Sequence, residues 1–262
     1  MSIIPLSIVI FLIACFFSMI GMGGGIFYVP VLLFFGLPIH NASAMSLALI
    51  FASSLSALIV FHKQDLVDWK LAAVIDPPTD IMAFLGGYLS GFVPGIYLKL
   101  ILFGVLITSG YVMMRNFQVR HCSVKEGRWW IWRREFNGQV YQVNLLYTIP
   151  ITAGIGLLAG MLGIAGGVVK LPLMVVLCGV PMGIAIATST VMVALTVAFG
   201  MIGHLAAGHL DVFQALPLML VCFIGGQIGS RISVRADKAI LKKIIAIALF
   251  IVAFKILFDA LS

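Results

Sequence analysis

Two stretches decide how this chain is read: GMGGGIFYVPVLLFFGLP at residues 21–38 and GIAGGVVKLPLMVVLCGVP at residues 163–181. Each sets a glycine cluster ahead of a short apolar run, 26–36 in the first and 168–180 in the second, that closes on Gly-x-Pro. As helices these runs reach roughly 16–20 Å, against about 30 Å of bilayer hydrocarbon. The apolar runs before them, 3–20 and 145–162, reach roughly 27 Å. Neither pair is long enough for two full crossings, so each glycine junction is expected to dip into the membrane. Irregular backbone at that depth is tolerated only where protein buries it or where it lines a cavity. Paired, glycine-interrupted short segments in two halves of a chain are the sequence mark of a transport site.

Composition points to the same solvent. The chain has 262 residues, of which 62% are hydrophobic and only 10% charged, and its mean hydropathy is +1.19. A soluble domain is about a quarter charged, so this chain has too little polar surface to coat a water-soluble particle. A soluble enzyme, a nucleic-acid reader and a large extramembrane domain are thereby excluded. Apolar runs lie near 3–20, 26–36, 42–61, 71–92, 97–114, 145–162, 168–180, 184–203, 213–230 and 239–258. In lipid they must be helices, because only a helix satisfies its own backbone. The expected class is an all-α polytopic membrane protein of about ten spans. The leader-like Leu12-Ile13-Ala14-Cys15 lacks a basic residue before it, so this segment is expected to stay as the first span.

The runs also repeat. Residues 21–25 with Pro30 match 163–167 with Pro172, and Gly36-Leu37-Pro38 matches Gly179-Val180-Pro181. Met45-Ser46 matches Thr188-Ser189, Asp68 matches Asp211, Gly86-Gly87 matches Gly225-Gly226, and Leu98-Lys99 matches Leu241-Lys242. Six matches in one order indicate a duplication. The expected organisation is a first membrane repeat at 1–114, a basic cytoplasmic linker at 115–144 and a second repeat at 145–262. Five spans per half makes the repeats inverted, a plan common among secondary transporters.

Charge orients this plan. Residues 115–135 hold six basic and two acidic side chains, and 231–243 hold five and one. With ten crossings both loops fall on one side, as cytoplasmic loops do, and both termini lie outside. These loops meet anionic lipid rather than nucleic acid. Trp129, Trp130 and Trp132 among arginines read as an interfacial helix on the cytoplasmic leaflet. Cys15, Cys122, Cys178 and Cys222 form no CxxC pair and read as small buried hydrophobes. A homodimer is compatible with the chain.

The chemistry follows from the junctions. Glycines leave backbone N–H groups uncovered, and the short helix that follows adds its positive dipole end. An anion site is expected between Gly23, Gly24 and Gly25 of one half and Gly166 and Gly167 of the other. Close helix packing at small residues is the alternative. Ser46, Thr188 and Ser189 pair across the repeat as hydroxyl donors to that anion. Lys170 stands just after Gly167, either to neutralise the anion or to snorkel to the interface. Gln227 lies deep enough to line the path, while Ser53, Ser54 and Ser56 read as packing residues.

Asp76 and Asp80 lie one helical turn apart inside an apolar span, beside Pro77-Pro78. Intramembrane carboxylates mark ion or proton routes, and two on one helix face raise one another's proton affinity. They are expected to carry a coupling proton or sodium, with the double proline breaking the helix and freeing carbonyls for a cation. The alternative places both at the waterline. His204, near the end of its span, reads as a loop-end histidine near water or as a gating proton carrier that takes part in coupling. The spacing His204-x4-His209-x-Asp211 is too loose for a zinc site. No GxxxxGK[ST] motif occurs, so transport would draw on an ion gradient or on the substrate's own gradient, and no cofactor is expected.

These motifs resemble the TauE/SafE sulfite exporter family, also called the toluene sulfonate uptake permease family. The resemblance rests on residues 21–25 with Val29-Pro30, Gly36-Leu37-Pro38, Met45-Ser46, their second copies at 163–167, Leu171-Pro172, 179–181 and 188–189, on Asp68-Trp69-Lys70 through Gly86-Gly87, and on Gly225-Gly226-Gln227-Ile228-Gly229-Ser230-Arg231. It covers both halves, all but the 115–144 linker. It implies transport of small sulfur-containing anions, such as sulfite, sulfonates or thiosulfate, with ion-coupled export by alternating access in the cell (inner) membrane. A passive anion channel and an intramembrane enzyme built on Asp76 and Asp80 are the alternatives. The chain departs from the family pattern at residues 75–80, Ile-Asp-Pro-Pro-Thr-Asp.

Overall fold

The computed structural model describes residues 3–19, 25–114, 130–164, 166–176, 178–233, 250–251, 253–254 and 256–258. Its helices are α1 (Ile3–Ser18), α2 (Gly25–Phe34), α3 (Ile39–His62), α4 (Trp69–Leu89), α5 (Gly95–Met114), α6 (Leu145–Leu162), α7 (Gly167–Val176), α8 (Met182–Ala206) and α9 (Val212–Ser233). The described residues of 250–258 are helical too. The protein is an all-α polytopic membrane protein. α3, α6, α8 and α9 are each long and apolar enough to cross a bilayer. α2 and α7, both 10 residues long, are the half-length helices foreseen.

Local chemistry sets the ends of these elements in the same way in both halves. Asp68 and Asp211 each start a helix by accepting two backbone N–H groups, those of Lys70 and Leu71 in α4 and those of Phe213 and Gln214 in α9. A side-chain cap of this kind answers donors the helix leaves unpaired. Gly36 and Gly179 turn the chain out of α2 and α7 at φ +88° and +67°, conformations open chiefly to glycine. Pro38 and Pro181 then begin α3 and α8.

Packing pairs the halves crosswise. α4 lies on α6 and α8, α9 lies on α1 and α3, and α3 meets α8 at the centre. The repeated Gly-Gly pairs make these seams. A side chain at Gly86 would strike the backbone of Leu157 in α6, and one at Gly87 that of Gly200 in α8. Likewise Gly225 adjoins Phe11 and Ala14 of α1, and Gly226 adjoins Ser53 of α3. Without a hydrophobic drive between helices in lipid, such close backbone approach supplies the association.

The two central helices run antiparallel. Asn41, at the start of α3, donates to the carbonyl of His209, just past α8. Beyond the other end of α3, the N–H of Asp68 donates to Thr188 near the start of α8. α9 starts beside the His40 end of α3 and reaches Ser56 at Gln227, so Arg231 lies toward the His62 end. That end also carries Arg134, bound to Asp68. The described parts of the two basic segments therefore share one side, as the charge pattern required.

Outward faces are apolar. α1 exposes Ile8, Leu12 and Phe16, and α9 exposes Phe213, Leu216, Leu220, Ile224, Ile228 and Ile232. Such stripes suit lipid rather than water. Polar groups concentrate inside: Ser43, Ser46, Ser53, Ser54 and Ser56 of α3 are buried, as are Thr188, Ser189, Thr190 and Thr196 of α8.

Two expectations need correction. The linker residues 131–144 form an antiparallel hairpin, β1 (Ile131–Phe136) with β2 (Gln139–Asn144), rather than an interfacial helix. Alternation of partly buried Trp132, Arg134 and Phe136 with exposed Arg133 and Glu135 is a period-two pattern, and Asn137-Gly138, both at positive φ, closes the turn. Trp129 and the rest of 115–129 lie outside the described residues, as do Arg235, Lys238, Lys242 and Lys243. Second, Pro77-Pro78 do not break their span: α4 runs through both, carried by its packing on α6 and α8 while the prolines withhold two ladder donors.

Candidate ion-pair site in the helical layer

Three helices bring charge to one buried place. Lys170, in the first turn of α7, donates through Nζ to Asp76 Oδ1 at 2.5 Å and to Thr196 Oγ1 at 2.7 Å. Thr196, near the middle of α8, donates in turn to Asp80 Oδ1 at 2.8 Å. Asp76 and Asp80 sit one turn apart on α4, so a single helix face offers both carboxylates. Lys170, Asp76 and Thr196 are each no more than 1% exposed and Asp80 is 7% exposed. Both aspartates are therefore enclosed by neighbouring helices, and Lys170 turns inward to them rather than outward. Among the described residues, Asp76 Oδ2 is buried without a hydrogen-bond partner. Removing one partner of such a pair leaves a charge that the apolar layer does not solvate.

The first half holds a neutral counterpart. Tyr28 is the fourth residue of α2, as Lys170 is of α7. Its hydroxyl accepts from Cys222 Sγ of α9 at 3.4 Å and hydrogen-bonds with Ser53 of α3. Ser53 of α3 and Thr196 of α8 stand at matching places, each two turns beyond a buried serine, Ser46 and Ser189. One plan, a short-helix side chain on a third-helix hydroxyl and a fourth-helix partner from the other half, thus appears twice, charged in one copy and uncharged in the other. Sequence reasoning passed over Thr196 and read Ser53 and Cys222 as packing. The signal was available: a hydroxyl two turns beyond Ser46 and Ser189, repeated at the same offset.

The described residues of the junctions are closely packed. Gly163 ends α6 at φ +68°, and a side chain there would strike the backbone of Ser43. Ser46 donates to the Gly163 carbonyl at 2.7 Å and, at 3.5 Å, to that of Gly25. Gly25 and Gly163 therefore meet at Ser46, which stands about 10 Å along α3 from its start. What they present to Ser46 is carbonyl oxygen. Gly166 lies against Ile155, Ala159 and Lys170 and accepts from the backbone N–H of Lys170, and Gly167 opens α7. Gly23 and Gly24 lie outside the described residues.

Other expected residues lie elsewhere. Thr188 accepts from Asp68 at the far end of α8, and Ser189 donates back to Ile186 of its own helix. Gln227 donates to the Ser56 carbonyl, which ties α9 to α3. His204 is buried between the Gly160 carbonyl at 2.9 Å and Ser90 at 3.4 Å. It stands two turns beyond Thr196 on α8, next to His209, which stacks on His40. Three imidazoles, His204, His209 and His40, therefore line up toward the His40 end. Among the described residues no His, Cys, Asp and Glu cluster fits a metal ion.

A second ionic site, which sequence reasoning missed, closes the His62 end. Arg134 of β1 holds Asp68 through Nε at 2.9 Å and Nη2 at 3.1 Å, and the Tyr141 hydroxyl of β2 donates to the same carboxylate. Burial pushes the Asp68 carboxyl up, but the Arg134 and Tyr141 hydrogen bonds outweigh it and hold the group below the ordinary carboxylate range. The hairpin thereby clamps the start of α4, the helix that carries Asp76 and Asp80.

A layer of helices with apolar outer faces, short broken segments and a buried ionic cluster defines a multi-pass integral membrane transporter. The family model described as "Sulfite exporter TauE/SafE" matches residues 6–256, and the chain belongs to that family. It is similar to the probable membrane transporter protein YunE of Bacillus subtilis, at 24% identity over 93% of each chain. It is also similar to the probable membrane transporter protein YdhB of the same organism, at 25% identity over 96% of this chain and 98% of that one. A third relative is the probable membrane transporter protein MJ0441 of Methanocaldococcus jannaschii, at 26% over 93% of each. No solved structure matches the chain.

Proposed function

We propose that the protein is a secondary carrier that moves small sulfur-containing anions, sulfite or an organosulfonate, across the cell membrane by alternating access. The observation that carries this reading is the Lys170–Asp76–Thr196–Asp80 cluster. A buried ammonium at the positive end of α7 attracts an anion, and two carboxylates beside it exchange protons. The ammonium 2.5 Å from Asp76 repels sodium, so the coupling ion is the proton. Ser46, Gly166 and Gly167 border the route from the junctions, and His204 relays protons toward the outer, His40 end.

The crosswise packing supplies the motion. Each half contributes its fourth helix to the other's first and third, so residues 1–114 and 145–262 act as inverted repeats that rock about the α3–α8 contact. Outward transport follows the name of the family, and the 115–144 linker with its hairpin lies on the cytoplasmic side.

Reconstitution tests this reading. Purified protein in liposomes is offered sulfite, sulfate, thiosulfate and sulfonates, with and without an imposed pH difference. Saturable flux that responds to the pH difference is expected. Ohmic current without saturation would instead establish a channel, and no flux of any of these anions would overturn the reading.

A further inference from the structure

The charges of the ionic cluster limit the valence of any solute that could enter it. Among the described residues Lys170 is the only buried lysine or arginine, and Asp76 and Asp80 are the carboxylates beside it. Asp68 is buried as well, but it lies at the start of α4 with Arg134 as its own partner. With Lys170 charged and both aspartates ionised the cluster is net −1, which a site sealed in apolar surroundings does not sustain. One proton held by the pair makes it neutral. Asp76 Oδ2, buried and without a hydrogen-bond partner among the described residues, is where a second proton would be accepted.

We infer that an entering anion takes the place of Asp76 on Lys170, so that the protein carries one monovalent anion together with one proton, without net charge, and rejects dianions such as sulfate. This rests on the transport reading above and deepens it. The balance is explicit. Before binding, the cluster holds ammonium, one carboxylate and one carboxyl, net zero. After binding it holds ammonium, the anion and two carboxyls, again net zero, the added proton having gone to the displaced carboxylate. A dianion needs two added protons, and after the first no carboxylate remains to accept another.

Among the described residues, the charged and titratable groups acting on Asp76 are Lys170 and Asp80. α7 brings Lys170, α8 brings Thr196, and α4 itself brings Asp80. α6 brings Thr152, an uncharged hydroxyl occupied with the Ile149 and Ile75 carbonyls. His204 lies two turns away on α8, on Gly160 and Ser90. A direct consequence concerns energy. Anion and proton travel the same way, so outward flow is driven by the anion's own concentration difference. An inward proton gradient brakes export instead of powering it.

The test uses full-length protein in liposomes that contain a pH-sensitive dye, with the membrane potential set by potassium and valinomycin. The probes are a short alkanesulfonate as the monoanion and sulfate as the dianion. Expected are one proton per sulfonate, sulfonate rates that do not follow the imposed potential, and sulfate slower by about a hundredfold or more, reflecting one unbalanced buried charge. In the double variant D76N/D80N the sulfonate should move without protons, and its rate should follow the potential. Sulfate moving as fast as the sulfonate, or sulfonate flux in the unmodified protein that carries current, overturns this inference and leaves the transport reading intact. No movement of either anion in the unmodified protein, with sulfite also static, overturns both. The measurements on the unmodified protein decide the matter even if the double variant does not fold.

Discussion

Replacing Lys170 by methionine keeps the length of the side chain and removes its charge, which isolates what the ammonium does. Asp76 would then be buried, 1% exposed, with neither of its oxygens on a cation. Breaking one side of a buried pair costs about 3–5 kcal/mol. The carboxylate escapes that cost by taking a proton. At pH 7 this costs about 1.36 kcal/mol for each unit above an ordinary carboxylate value of about 3.9, roughly 4 kcal/mol in all. Both routes therefore give a loss near 4 kcal/mol at neutral pH. The proton route predicts that the loss shrinks by about 1.4 kcal/mol for each unit of acidification and nearly vanishes close to pH 4. The sign is that of a group whose proton affinity is raised in the folded variant, so acid relieves the defect. Unfolding of the variant and the parent in detergent, followed by tryptophan fluorescence from pH 4 to 8, measures this. The companion D76L/K170M, which removes both charges, should recover most of the loss at pH 7. A K170M protein as stable as the parent across that whole range would show that Lys170 and Asp76 are not paired inside the layer, and the proposed site would fall with them.

Three further outcomes follow from the same geometry. Thr196→Val deletes the hydroxyl that bridges Lys170 to Asp80; leaving such partners unsatisfied costs about 1–3 kcal/mol, so sulfite flux in liposomes should fall by about 5- to 150-fold while the protein remains folded. Gly156→Val drives a side chain into the backbone of Thr79, whereas Gly104→Ala meets nothing within 4 Å. Size-exclusion chromatography in detergent should show the first as aggregated or absent and the second as unchanged. The Asp68 carboxyl is held below its ordinary range by Arg134 and Tyr141, against the upward push of burial, so its contribution to stability is complete above about pH 4 and fades as pH falls through its lowered value. Asp68→Asn should therefore melt below the parent at neutral pH and converge with it in strong acid, as thermal scans over pH would reveal.

Much of the architecture was legible because the relevant physics is local. A chain with 62% hydrophobic and 10% charged residues must choose lipid. A run too short to span must turn back, and a motif that recurs in order marks a duplication. The repeated pairs Asp68/Asp211, Gly36/Gly179 and Gly86-Gly87/Gly225-Gly226 were visible as letters before their roles as caps, left-handed turns and helix seams were known. Asp76 and Asp80 stood out because a carboxylate in an apolar span is costly wherever it lies. The hairpin at 131–144 was misread because arginines among tryptophans suit an interfacial helix as well as a strand, and the period-two alternation is only six residues long in each strand.

What the linear order determined, then, was the lipid solvent, the helical class and the two short segments, since each depends on residues near one another in the chain. Only the tertiary structure decided the partners. Lys170 lies 94 residues from Asp76, Thr196 lies 116 from Asp80, and Arg134 lies 66 from Asp68. Whether a lysine stem reaches out to the interface or turns in toward a carboxylate depends on which helices stand beside it. That choice is made by crosswise packing of the two halves, through glycine seams whose fit no single segment contains.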